Sequence, residues 1–332
     1  MKPNIFEIAT SELSQDALIT WLLKWADNRY SSIDNNIHLC AIKFVQALIG
    51  ETDNYCITEV EAGRQWNNID VWARINNEYF IVIEDKKGTR EHSNQLKRYA
   101  EIAKRHYENT KIILVYFKME EQGEYSEIEN AGFSVFTRKN MLSVIDNYYH
   151  QTIDNKGNEI LLDYYYYLKE LDKKIDSFKS LPLDKWHWYS WTGFFSTIQK
   201  EIGGDWGYVH NASGGFLGFW WRWHHGKLDD DKRLEFYLQL EQHKLVFKLS
   251  ANKPEYRDEI RAYYRSKLYS LAQKENINIR QYGRLGESMG VAILNEDYRI
   301  TNKDGLINIL ATIENLRKIE NLIDLLSKEI NK

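Results

Sequence analysis

The stretch NNIDVWARINNEYFIVIEDKK, residues 67–87, reads as two strands joined by a tight turn, the second of them ending in charge. Apolar residues alternate through NIDVWARI, the NNE at 76–78 supplies turn chemistry, and YFIVIED resumes the strand. A strand points successive side chains to opposite faces, which puts Glu84 and Lys86 on one face and Asp85 and Lys87 on the other. The turn brings Asp70, fourteen positions before Glu84, alongside it. Two carboxylates and an ammonium then converge at a strand end. Such acids repel, and one stays protonated unless a divalent cation lies between them. Asp70, Glu84 and a backbone carbonyl, that of Asp85, offer hard oxygen ligands of the kind Mg²⁺ or Mn²⁺ takes. The chemistry that fits is phosphodiester hydrolysis, with Lys86 orienting the attacking water or stabilising charge on the phosphorane.

Outward from this hairpin the period is helical. LSQDALITWLLKW places Leu13, Ala17, Leu18, Trp21, Leu22 and Trp25 at helix spacing, capped by Ser11 or Ser14, and NIHLCAIKFVQALI runs to a stop at Gly50. A further strand is expected over YCITEVEA, residues 55–62, and a helix over 89–107. KIILVYF and FSVFT give two more strands, the first continuous enough to be a central strand added in parallel by a crossover. A helix over about 138–149, a turn at DNKGNE and a tyrosine-rich connecting helix lead to a boundary near residue 180. Beyond it an antiparallel meander, a helix opened by Pro254, two short strands and a long amphipathic helix predict an α+β domain.

The chain has 332 residues, room for two cores of ordinary size, and a net charge of -4, so any polyanion contact falls to a local patch. Cys40 and Cys56 have neither paired spacing nor histidines placed to form a zinc site with them. Neither a leader nor an apolar run of spanning length is evident, and the expectation is a cytoplasmic protein without membrane contact.

Asp70, Glu84 and Lys86 together resemble the PD-(D/E)XK nuclease superfamily, with Ile69 in the place of the motif's proline. NQLKRY adds Gln95 and Tyr99 in the Q-x-x-x-Y arrangement of the RecB-like branch, on one face of the following helix. SELSQDALITWLL looks like the first helix of a bacterial branch of the superfamily, and Glu12 is its matching acid and a further candidate metal ligand. The resemblance covers residues 5–137. It implies an α/β restriction-endonuclease-like core, a mixed sheet flanked by helices, followed by a smaller α+β domain with an antiparallel sheet. The expected domains are a nuclease-like 1–150, a connecting helix 151–180, and an aromatic-rich 181–332 for substrate or partner recognition. Implied too are a Mg²⁺-dependent nuclease acting on DNA more often than RNA, in restriction, repair or phage defence, and Gln95 as a positioner of Lys86, the water or a phosphate. A homodimer or a protein partner is compatible with this reading.

Lys87, Arg90, Lys97, Arg98 and Tyr99 are the candidate nucleic-acid contacts, within a segment where lysines and arginines outnumber acids. Glu59 and Glu61 are possible extra acids. The tryptophans of KWHWYSWTGFF and GFWWRWHH suit a small-domain core better than a stacking platform for bases. Arg257, Arg261 and Arg265 recur at helical spacing as a basic stripe, with Asp258 and Glu259 available to balance it. The rival readings are a catalytically silent binder of nucleic acid or protein, and an effector activated by a partner or nucleotide through the C-terminal domain.

Overall fold

The computed structural model describes residues 3–9, 11–50, 55–87, 95–107, 109–152, 157–211 and 214–331. The quoted stretch supplies the middle of a five-stranded sheet, ordered β1 (Val60–Trp66), β2 (Ile69–Ile75), β3 (Tyr79–Lys86), β4 (Lys111–Lys118) and β5 (Ser134–Thr137). β1 pairs β2 and β2 pairs β3 antiparallel, while β4 lies parallel to β3 and β5 parallel to β4. Asparagine pairs make both hairpin turns. Asn67 and Asn68 have φ of 51° and 66°, and Asn76 and Asn77 of 50° and 57°. Such turns require the left-handed region, which asparagine enters at low cost.

The first strand begins later than expected, at Val60. The backbone N–H groups of Thr58 and Glu59 both donate to the side-chain oxygen of Asn76, so the turn takes up the bonds a longer ladder would have used. Two short helices, α1 (Ile5–Ile8) and α5 (Ser126–Asn130), escape the sequence reading because four or five residues display no full period.

Helices α2 (Glu12–Trp25), α3 (Asn35–Ile49), α6 (Arg138–Thr152) and α7 (Glu159–Asp176) share one core with the odd-numbered residues of β3. Leu22, Phe44, Ile83, Phe117, Ile145 and Leu168 meet there. Gly50, with φ of 71°, ends α3. The other sheet face carries α4 (Gln95–His106), whose Leu96 and Tyr99 join Phe80, Val82 and Tyr116. A mixed sheet flanked by helices is therefore the architecture of this half.

The chain divides into two compact units, Met1–Lys173 and Lys174–Lys332. In the second, α8 (Trp188–Ile202), α9 (Arg257–Lys274) and α10 (Ile309–Ile330) share a core with one face of a six-stranded antiparallel sheet. Its strands are β6 (Asp205–Val209), β7 (Phe216–Lys227), β8 (Arg233–Glu241), β9 (Lys244–Ala251), β10 (Ile279–Gln281) and β11 (Ser288–Leu294). Trp191, Trp206 and Trp221 are buried in that core, while Trp188 and Trp223 are exposed. Among the described residues no helix is long and apolar enough to cross a membrane.

Candidate active site

The site lies at the end of β3, where the strand changes from apolar to charged. Val71 of β2 stands opposite Ile83, and one further step of that register sets Asp70 opposite Glu84. Asp70 Oδ2 accepts a 3.0 Å hydrogen bond from the Asp85 backbone N–H, which ties the acid to the strand end. Glu84 is fully buried, and its Oε1 accepts from Lys86 Nζ at 2.6 Å and from Gln95 Nε2 at 2.8 Å. Its other oxygen, Oε2, is buried and accepts no hydrogen bond among the described residues, with the Asp70 carboxyl as its neighbour.

Removal from water and the Asp70 charge push the Glu84 carboxyl up to about 8, against the opposing pull of Lys86. Burial alone would lower the Lys86 ammonium, yet the hydrogen bond and charge of Glu84, with Asp70 and Glu12, carry it above the ordinary lysine range.

Gln95 opens α4, and its amide also donates to the Tyr99 hydroxyl one turn on, at 2.9 Å. That hydroxyl in turn donates to the carbonyl of Asn68, in the turn between β1 and β2. A hairpin turn, a tyrosine and a glutamine thus form a chain that ends on Glu84 Oε1. Tyr99, expected as a nucleic-acid contact, is instead 2% exposed and bonded to Gln95.

Glu12, in the first turn of α2, reaches the same strand end and accepts from the Lys87 backbone N–H at 3.1 Å. The side chain of Asp85 points away from Glu84, onto the α2 face. There its Oδ1 accepts from Gln15 Nε2 at 2.5 Å, and among the described residues Oδ2 has only the Asp16 carboxyl beside it. Asp16 lies beside it, also buried and with an orphaned Oδ1. Burial first, then the charge of Asp70, raises the Asp16 carboxyl to about 7. Burial and Asp16 raise Asp85 well above the usual carboxylate range. Behind this pair the buried Tyr164 holds Gln15 through a 3.4 Å contact.

Gln15, Asp16 and Lys118 belong to the site's surroundings and escape sequence reasoning. Asp16 follows Glu12 by four residues and shares its helix face, which is the signal that could have found it. Lys118 ends the apolar strand β4 as Lys86 ends β3. The two are register partners, and burial pulls the Lys118 ammonium down to about 8.

Of the expected nucleic-acid contacts, Lys97 and Arg98 are exposed on α4, the Arg98 guanidinium lying over the Tyr99 ring. Lys87 is half-buried with its ammonium over Tyr167. Arg90 lies outside the described residues. Glu61 is not drawn in: it pairs with Arg74 at 2.6 Å, four residues along β2 from Asp70.

Five carboxyls, those of Glu12, Asp16, Asp70, Glu84 and Asp85, therefore act on one another here, with Lys86 and Lys118 as the buried cations among them. Such an excess of acid is relieved by protons or by a cation. The orphaned Oε2 of Glu84 beside Asp70 fits a hard divalent ion. Among the described residues no three His, Cys, Asp or Glu side chains group as metal ligands.

The model of a protein family described as PD-(D/E)XK nuclease superfamily matches residues 3–181. No curated protein and no solved structure matches the chain.

Proposed function

We propose that this chain, which belongs to the PD-(D/E)XK nuclease superfamily, is a metal-dependent nuclease that hydrolyses phosphodiester bonds, with DNA the favoured substrate. The single observation that carries the reading is the convergence of Asp70, Glu84 and Lys86 at one strand end, with Glu84 Oε2 buried and unpartnered. An orphaned carboxylate oxygen costs on the order of 1–3 kcal/mol, and a Mg²⁺ or Mn²⁺ ion held by Asp70, Glu84 and the Asp85 carbonyl would offset it. When bound, such an ion polarises the phosphodiester and lowers the pKa of its water.

The other residues set the stage for that chemistry. Gln95 and Lys86 both engage Oε1 of Glu84, which reserves Oε2 for the ion. The Lys86 ammonium has three donors, and those left over from Glu84 are available to a phosphate oxygen or the attacking water. Its raised pKa keeps it charged at neutral pH. Glu12 steadies the strand end through Lys87 N–H and stands near enough to contribute to the ion's field. A role in restriction, repair or phage defence accords with this chemistry.

The test is incubation of the full chain with linear, circular and single-stranded DNA and with RNA, with Mg²⁺ or Mn²⁺ and then with excess chelator. Cleavage of at least one substrate that chelation abolishes and added metal restores is expected. Cleavage indifferent to chelation contradicts the metal assignment, and no cleavage of any substrate favours a silent or partner-activated member of the fold.

A further inference from the structure

Three arginines of the second unit form no ion pair among the described residues. Arg257, Arg261 and Arg265 follow one another at four-residue intervals on α9, where the helical rise of ~1.5 Å per residue sets successive members ~6 Å apart along the axis. All three are half-buried, and the Nε atom of each is buried without a hydrogen-bond partner. Of the three, Arg261 is anchored among the described residues. One of its terminal nitrogens donates to the carbonyls of Tyr282, Gly283 and Gly290, so it grips the β10–β11 hairpin. That hairpin also carries two exposed arginines, Arg280 and Arg284.

Among the described residues no ion pair joins these three arginines to an acid. Glu259 pairs with Lys232 at 2.8 Å. The charge of Asp258 is felt by Arg261 but forms no ion pair with it, and burial together with Arg265 still lowers the Arg261 pKa. By contrast, Arg222 and Arg299 in the same unit each hold an aspartate at 2.5–2.6 Å. Like charges in a row, partly withdrawn from water, are costly unless an anion completes them. Guanidinium is the side chain best shaped to grip phosphate, and a ~6 Å repeat along a helix matches successive phosphates of an extended strand better than any single small anion.

We propose that the α9 arginine stripe binds the phosphate backbone of a single nucleic-acid strand, giving the second unit a substrate-holding role. This rests on the nuclease reading for the identity of the polyanion. Arg257 and Arg265 make the backbone contacts, and Arg261 fixes the hairpin that carries Arg280 and Arg284.

The experiment is a salt titration of binding to a labelled single-stranded oligodeoxynucleotide, using the full chain with Glu84→Gln in chelator so that nothing is cut. The reference protein is compared with Arg257→Gln/Arg265→Gln and with Arg257→Lys/Arg265→Lys. Arg261 is kept, so the hairpin grip survives, and circular dichroism checks the fold. Loss of two phosphate contacts lowers the slope of log K against log salt by about 1.4 for a single strand, and the lysine pair restores most of it. An unchanged slope in the glutamine pair overturns the proposal, as does a reference chain that binds no oligonucleotide. So does a glutamine pair that loses only its binding to phosphatidylserine vesicles.

Cleavage by the chain with native Glu84 is measured in parallel. Cleavage with no arginine effect sinks this inference and leaves the nuclease reading standing. An arginine-dependent slope without cleavage does the reverse.

Discussion

Glu84 shows what a buried acid costs and how the chain directs it. Two donors converge on Oε1 and none on Oε2, an asymmetry built by Lys86 on the same strand face and by Gln95 at the head of α4. The Tyr99 hydroxyl is the hinge of that arrangement, joining the Asn68 carbonyl to the Gln95 amide. Tyr99→Phe removes one buried hydrogen-bonding group and is expected to cost about 1 kcal/mol in a denaturant melt. Because it frees Gln95, it should also cut the cleavage rate roughly tenfold with little change in KM, as loss of an outer-shell partner does. A melt shift with no rate effect would mean that Tyr99 is packing alone. The pairing of Asp70, Glu84 and Lys86 was legible because strand alternation and a two-residue turn leave little freedom of register. Gln95 and Tyr99 needed the family resemblance, and the orphaned oxygen depends on side-chain geometry that no spacing encodes.

At the scale of elements, α2 clamps the charged end of β3. Glu12 holds Lys87 N–H and Gln15 holds the Asp85 carboxyl, so one helical turn grips both sides of the strand end. Gln15→Leu leaves Asp85 with neither oxygen bonded to Gln15, and a loss of about 1–3 kcal/mol of stability is expected by chemical denaturation. Metal-dependent cleavage should persist below the transition, since Asp85 is called on for its carbonyl rather than its carboxylate. In the second unit, α8 lies against backbone. A Cβ at Gly193 would fall 2.0 Å from the Ile175 carbonyl oxygen, and that oxygen has no rotamer to move. Gly193→Ala should therefore cost about 1–3 kcal/mol or more, read as a lowered Tm. Long periodic helices and the central strands were readable, while α1, α5 and the true start of β1 were not. In β1 the side chain of Asn76 competes with the ladder for the same N–H groups, a contest decided by tertiary contacts.

For the molecule as a whole, the buried acids make metal-free stability depend on pH. Glu84 at about 8, Asp16 at about 7 and Asp85 well above its ordinary value all hold protons that the unfolded chain has released above pH ~4–5. Each contributes stability that is fully present below the unfolded pKa and is lost as pH rises through the folded one. In chelator, the Tm should thus fall between pH 5.5 and 8.5, Glu84→Gln should flatten part of that fall, and added Mg²⁺ should raise the Tm more at pH 8.5 than at pH 5.5. A Tm that rises across this window would contradict the burial of these acids. Length and the change of pattern lead to an expected boundary near residue 180, whereas the compact units divide between Lys173 and Lys174. Yet Leu161, Tyr164, Tyr165 and Leu168 of α7 enter the first core, a role hidden by a tyrosine run whose buried face only packing reveals.

The most direct test of the central claim is the initial rate of Mg²⁺-dependent cleavage of a single DNA substrate by the full chain and by Glu84→Ala, both shown to be folded. A loss of about 10³-fold or more is predicted for the variant. Equal rates would contradict the assignment of the site.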